Sequence, residues 1–184
     1  LSVALGRGDV ALAALNAVTP GDFSQLPNVS THAVGFLRAS ALHLKGQFIA
    51  SARERMFLSS TLTNEEGYLK NHEAIWSSLM QASEANIEMF AKKSSTQIFK
   101  GWLELALIIK QTQIDLDRQL SALRKWQVRF HNHPATKQLP GGLEQLENYV
   151  QSKAKYVALM VPLSGKLAST GKALRDGFFA AYYK

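Results

Sequence analysis

The run QIFKGWLELALIIKQTQIDLDRQLSALRKWQVRF, residues 97–130, decides the fold class. Trp102, Ile109, Leu116, Leu123 and Phe130 recur in it every seven residues, with Ile98 and Leu105 at companion positions. That spacing lays apolar side chains along one face of a helix, against a neighbour. Thr112 and Gln119 interrupt the companion row, which favours a helical bundle over a strict two-stranded coiled coil. No proline falls between Glu65 and Phe130, so the pattern predicts one very long helix over 64–131, or two nearly collinear ones broken near 94–101. A single helix of about 60 residues would span roughly 90 Å. Either it breaks, at Ser94-Ser95-Thr96 or Gly101, or the molecule is extended and pairs with a second copy.

Upstream, Thr63-Asn64-Glu65-Glu66 reads as a capping box, in which the Thr63 hydroxyl and Glu66 carboxylate satisfy first-turn amides. Before it, Val34, Leu37, Ala41, Leu44, Phe48 and Ala52 keep helical steps over 30–62, with Ser30 or Thr31 as cap. Residues 1–29 read as an arm with a short helix from Asp9, its N-cap, to Val18, ended by Pro20-Gly21. Downstream, Pro134, Pro140 and the paired glycines 141 and 142 form the strongest break in the chain. A last helix over 143–183 follows, carrying Leu146, Val150, Val157, Met160, Leu167, Leu174 and Phe178 and kinked at Pro162. No strand pattern appears. The expected fold is all-α: one domain over 1–184, an elongated antiparallel bundle or hairpin of three long helices plus a short N-terminal helix.

Bulk properties narrow the function. With 46% hydrophobic and 19% charged residues over 184 positions, the chain has the composition of a folded domain. The absence of cysteine excludes disulfides, thiolate metal sites and a cysteine nucleophile. The longest apolar run, Leu105 to Ile109, is far short of the roughly 20 residues a membrane-spanning helix needs. The chain begins at Leu1, so a leader removed earlier would not be visible, and localisation stays open. Asn28-Val29-Ser30 fits a glycosylation acceptor, a pattern common by chance.

Charge is unevenly placed. Residues 1–91 carry six basic and eight acidic side chains, net −2, and residues 92–184 carry fifteen and six, net +9. A basic half suggests an anionic partner; a solvated lysine-rich face is the plain alternative.

The motifs point away from catalysis. No glutamate has a histidine three residues later, as a di-iron bundle requires. His131-Asn132-His133 puts two imidazoles in a proline-bounded turn without a nearby carboxylate, which reads as a solvated loop rather than a metal site. His43 and His72 fall on helices and read as partly buried polar residues. Neither a Gly-x-Ser-x-Gly elbow nor a glycine-rich phosphate or dinucleotide loop is present. We therefore expect no enzyme, no cofactor and no catalytic or metal-ligating residue. Arg7-Gly8-Asp9 matches an integrin-type tripeptide, but capping explains Asp9.

Three partner classes remain. Nucleic acid fits a sequence pI of about 9.7, although the only dense basic cluster is Arg124-Lys125 with Arg129. An anionic or apolar surface, a membrane or a polymer granule, fits better: Lys153, Lys155, Lys166, Lys172 and Arg175 can lay their stems over apolar area with the charges wet, and Trp126 can join them. The third class is a helical scaffold or ligand-sensing module that touches another helical protein.

The segments Gln81-Ala82-Ser83-Glu84-Ala85-Asn86-Ile87-Glu88-Met89-Phe90 and Leu143-Glu144-Gln145-Leu146-Glu147-Asn148-Tyr149-Val150-Gln151-Ser152-Lys153-Ala154, separated by a long helix and a Pro-Gly break, give residues 81–184 a pattern that resembles the phasins, helical proteins that coat polyhydroxyalkanoate granules. The chain departs from that family in its tryptophans, its lower alanine and glutamine content, and an N-terminal stretch of eighty residues without counterpart. The resemblance implies a self-associating, non-catalytic protein of a granule surface. Together with the basic half it makes residues 92–184 the expected contact region.

Overall fold

The computed structural model describes residues 2–17, 28–94, 96–151 and 158–183, and all regular structure among them is helical. They divide into two compact units, Leu1–Val150 and Gln151–Lys184. In the first unit, α1 spans Gly8–Asn16, α2 Asn28–Leu44, α3 Phe48–Ser59, α4 Glu65–Gln81, α5 Glu84–Lys93, α6 Gln97–Gln111, α7 Leu116–Arg129 and the single turn α8 Pro134–Lys137, and α9, Leu146–Gln151, closes it with its last residue at the boundary. In the second, α10 spans Ala168–Tyr182.

The fold is all-α, but the helices are shorter than the apolar pattern implies. The stretch 64–131 holds four of them. At Ala82-Ser83 the backbone turns extended, and the Ser83 hydroxyl caps α5 by accepting from Asn86 N at 3.3 Å. Ser94 and Thr96 are extended between α5 and α6, one of the two expected weak points. Gly101, the other, lies inside α6. After Thr112 the chain turns again, and Asp115 caps α7 by accepting from Arg118 N at 2.9 Å. Side-chain caps compete with helix continuation, so polar residues without any proline suffice to end these helices. The sustained heptad of a coiled coil is thereby lost: Trp102 and Ile109 belong to α6, whereas Leu123 lies on α7 and Phe130 at its C-cap.

The expected helix over 30–62 is likewise two. Gly46 adopts φ +75°, and the amides of Gly46 and Gln47 bond back to His43 O and Leu42 O, both at 2.9 Å, closing α2. At the next start Asn64, not Thr63, is the cap: its side chain accepts from Gly67 N at 2.6 Å. Asp9 sits in the first turn of α1 with Arg7 at the cap position.

Packing follows chain order. α1 packs on α2, α2 on α3 and α3 on α4; α5 packs on α6 and α6 on α7, and α4 against α6 joins the two sets. Short helices packed on their sequence neighbours thus stand in place of three long rods. The main core lies where the sets meet, around Ile75, Leu79, Ile87, Trp102, Leu103, Leu105, Leu123 and Trp126, each at most 2% exposed. Thr112 and Gln119, which break the heptad, are buried as well, with Thr112 Oγ1 donating to Ile108 O at 2.6 Å.

In the second unit, Pro162 does not kink a helix: residues 158–164 are non-helical, and α10 begins at Ala168. Gly171 lies against this segment, where an added Cβ would come within 1.8 Å of Pro162 O.

Candidate functional site

Of the sequence-predicted contact residues, the structure describes Lys166, Lys172, Arg175 and Trp126. Lys153 and Lys155 lie outside the described residues. Lys166 and Lys172 are exposed in the second unit, and Arg175 is paired with its neighbour Asp176, Nε to Oδ1 at 2.9 Å. Trp126, expected at a surface, is 1% exposed and donates from Nε1 to Gly101 O at 2.9 Å. An indole buried with its one donor satisfied is a core residue.

His133 is not in a solvated loop but 4% exposed. Its Nδ1 accepts from Ala135 N at 3.1 Å, capping α8, and its Nε2 donates to Ile98 O at 2.8 Å. This arrangement fixes the neutral tautomer with the proton on Nε2. His72 is also 4% exposed, edge-on to Trp102 at 5.3 Å between ring centroids, and its Nδ1 has no partner. Burial and the neighbouring His133 pull its pKa down to about 4. Burial lowers His133 also, partly offset by its bond to Ile98. Both therefore act as neutral core groups. Among the described residues no group of three or more His, Asp or Glu side chains is placed to hold a metal ion.

The concave feature lies on the outer side of α3. A hollow of about 720 Å³ is walled by α1, α2 and α3 and lined by Asp9, Arg38, Lys45, Arg53, Glu54 and Phe57 among others. A second, of about 530 Å³, lies between α3 and the α5–α6 corner and is lined by Arg53, Met56, Phe57, Phe90, Lys93 and Ile98. Arg53 and Phe57 line both, so the two hollows adjoin along α3 as a groove with these side chains at its middle. Met56, Ser60 and Ile98 continue it into a recess of about 220 Å³ that reaches Tyr68, His72 and Trp102.

Helical periodicity explains why α3 presents this surface. Arg53 and Phe57 are four residues apart and share a face, while Ile49, Ala52 and Leu58 take the buried one. Phe57 is 76% exposed and Ile98 52%. No ion pair involves Lys45, Arg53 or Lys93 among the described residues, and the second hollow has no carboxylate in its lining. An exposed phenyl ring amid unpaired cations suits an extended protein segment better than catalysis, which would need converging acid and base groups. Sequence reading missed this groove because its residues come from five helices; the one local signal was Arg53-x-x-x-Phe57 on α3.

Comparison with known proteins follows the same direction. A family model described as LppC putative lipoprotein matches residues 1–184. The penicillin-binding protein activator LpoA of Photobacterium profundum is 31% identical over 169 residues, covering 91% of this chain and 27% of the relative. The protein of the same name from Pantoea ananatis is 30% identical over 109 residues, 59% of this chain and 16% of the relative. The chain thus spans about a quarter or less of these relatives. Among solved structures, Haemophilus influenzae LpoA in a monoclinic form superposes with a TM-score of 0.75 at 22% identity, over 96% of this chain and 32% of that one. The LpoA N-terminal domain of the same organism gives a TM-score of 0.71 at 21% identity, over 80% of this chain and 65% of that one. At these identities the structures speak to the fold. The family match runs through the whole chain and replaces the phasin resemblance, which rested on helical pattern within residues 81–184. With it falls the expectation of a lipid or granule surface as partner, because the relatives are named as activators of a protein.

Proposed function

We propose, from the chain's membership of the LppC putative lipoprotein family, that it is a non-catalytic protein-interaction module and that its partner belongs to the penicillin-binding proteins its relatives are named for activating. The observation that carries this reading is the groove along α3, where exposed Phe57 shares a hollow with Arg53 and Lys93, neither in an ion pair among the described residues. Aromatic and arginine side chains dominate the energetics of protein interfaces. Unpaired cations at the rim speed encounter with an acidic segment more than they tighten it.

Biolayer interferometry with the immobilised chain and a purified penicillin-binding protein tests this. Saturable binding is expected, weakened at least tenfold by Phe57→Ala, about the 1.4 kcal/mol threshold of an interface anchor. Absence of binding, or binding indifferent to Phe57, overturns the assignment.

A further inference from the structure

Arg55 sits on α3, between Ser40 of α2 and Asn71 of α4, to which it is hydrogen-bonded by side chain and carbonyl respectively, and its position is energetically odd. It is half-buried, and of its five N–H donors one has a bond, Nη2 to Ser40 Oγ at 3.0 Å. Nε is buried without a partner. A buried guanidinium is ordinarily matched by a carboxylate, since an unpaired one forfeits hydration without return. Here no salt bridge reaches Arg55 among the described residues. Burial alone pulls its pKa down.

The charge borders a hollow of about 300 Å³, distinct from the α3 groove and lined by Ser40, His43, Arg55, Ser77 and Ser78, with Val3 and Leu44 as apolar edge. Residues 2–7, α2, α3 and α4 surround it, and none contributes a carboxylate to the lining. His43 Nδ1 bonds the Ser78 hydroxyl at 2.9 Å, and that hydroxyl donates onward to Ala74 O at 2.9 Å. His43 Nε2 accepts from the Gln81 amide at 3.2 Å. The hollow thus gathers one permanent cation, one titratable imidazole and three hydroxyls, and nothing negative.

We infer that this hollow is a binding site for a small oxyanion, a carboxylate or a phosphate, whose charge completes the unpaired guanidinium of Arg55. The planar guanidinium takes two oxygens side by side, and the Ser77 hydroxyl rotates to donate to the anion as well, since Ser40 and Ser78 already donate to Phe36 O and Ala74 O, both at 2.9 Å. His43 makes binding pH-dependent. Empty, its pKa lies below the usual value because burial, and then the Arg55 charge, oppose protonation. A bound anion cancels the second effect, so it raises the pKa of His43, and by linkage protonated His43 tightens the anion. Affinity therefore rises as pH falls through the titration of His43.

The test follows the His43 ring proton by NMR across pH 4–9 in sodium chloride, sodium acetate and sodium phosphate at matched ionic strength. The exposed ring of His131 serves as reference for general screening. A His43 midpoint at least half a unit higher in acetate marks a carboxylate site, and in phosphate a phosphate site; a shift in either supports the inference. In Arg55→Gln, checked for folding by its melting curve, that shift is expected to vanish. Identical His43 midpoints in all three salts overturn the inference, whatever the variant does, and an equal shift in Arg55→Gln overturns it as well. Neither outcome bears on partner binding at Phe57.

Discussion

His72 and His133 rest edge-on against Trp102, at 5.3 and 5.5 Å between centroids, and Trp126 meets His133 at 5.2 Å. Protonating either buries a charge among aromatic edges, and His133 would lose the lone pair that caps α8. The consequence for stability has a definite sign. With its folded pKa depressed to about 4 and an unfolded value of about 6.5, His72 binds more protons in the unfolded chain between those limits, so stability falls as pH drops through that window. Between pH 7 and pH 5, His72 alone accounts for about 2 kcal/mol. The melting temperature should fall by several degrees over that range, and the drop should shrink in His72→Gln. A melting temperature flat from pH 7 to 5 would show that the ring is not held neutral. The sequence placed His72 on a helix as a partly buried polar group, which holds. It misread His133, because two prolines in the neighbourhood suggest a loop, whereas Pro134 here opens a helical turn that the imidazole caps.

At the level of elements, apolar spacing identified part of the core but not all of it, since Leu37, Leu44, Ile98 and Leu116 on the same rows are exposed, and it failed to say where each helix stops. Trp102, Leu105, Ile109 and Leu123 are all buried as the seven-residue repeat implies, yet a turn at 112–115 separates the first three from the fourth. Leu116, the first repeat member after the turn, is exposed, and the buried stripe resumes at Leu120, Leu123 and Trp126 against the same core. Termination rests on single polar side chains, Ser83, Asn64 and Asp115, and such signals are short and abundant in any sequence. Asn64 and Thr63 offer a clean discrimination. Asn64→Ala should cost about 1 kcal/mol, as loss of an N-cap does, whereas Thr63→Ala, at an exposed position outside α4, should leave the denaturation midpoint unchanged. Urea unfolding of both variants measures the difference, and equal midpoints would return the capping role to Thr63.

At the scale of the molecule, the uneven charge was legible and its interpretation was not. The net +9 of residues 92–184 suggested one contact face, but those residues are distributed over α5 to α10 and over both units. Several of the cations are committed locally: Arg129 pairs with Glu104, Lys110 Nζ donates to Met80 O at 2.7 Å, and Arg175 pairs with Asp176. Of the unpaired cations of the groove, Lys45 and Arg53 come from the half with net −2 and Lys93 from the basic half. Net charge along a chain therefore says little about a surface assembled from separated helices. The division into units carries a prediction of its own. The main core draws its buried members from Ile49 to Leu146, entirely within the first unit, and a domain of about 150 residues buries enough surface to fold alone. A chain ending at Val150 should hence be helical and melt in a single cooperative transition, followed by circular dichroism at about 222 nm, where helical backbone absorbs. Residues 151–184 in isolation should not, since a segment below about 40 residues with one helix and Leu167, Leu174, Phe179, Tyr182 and Tyr183 exposed has no core to pack. Loss of cooperative melting in the shortened chain would mean that the second unit supplies part of the first unit's stability.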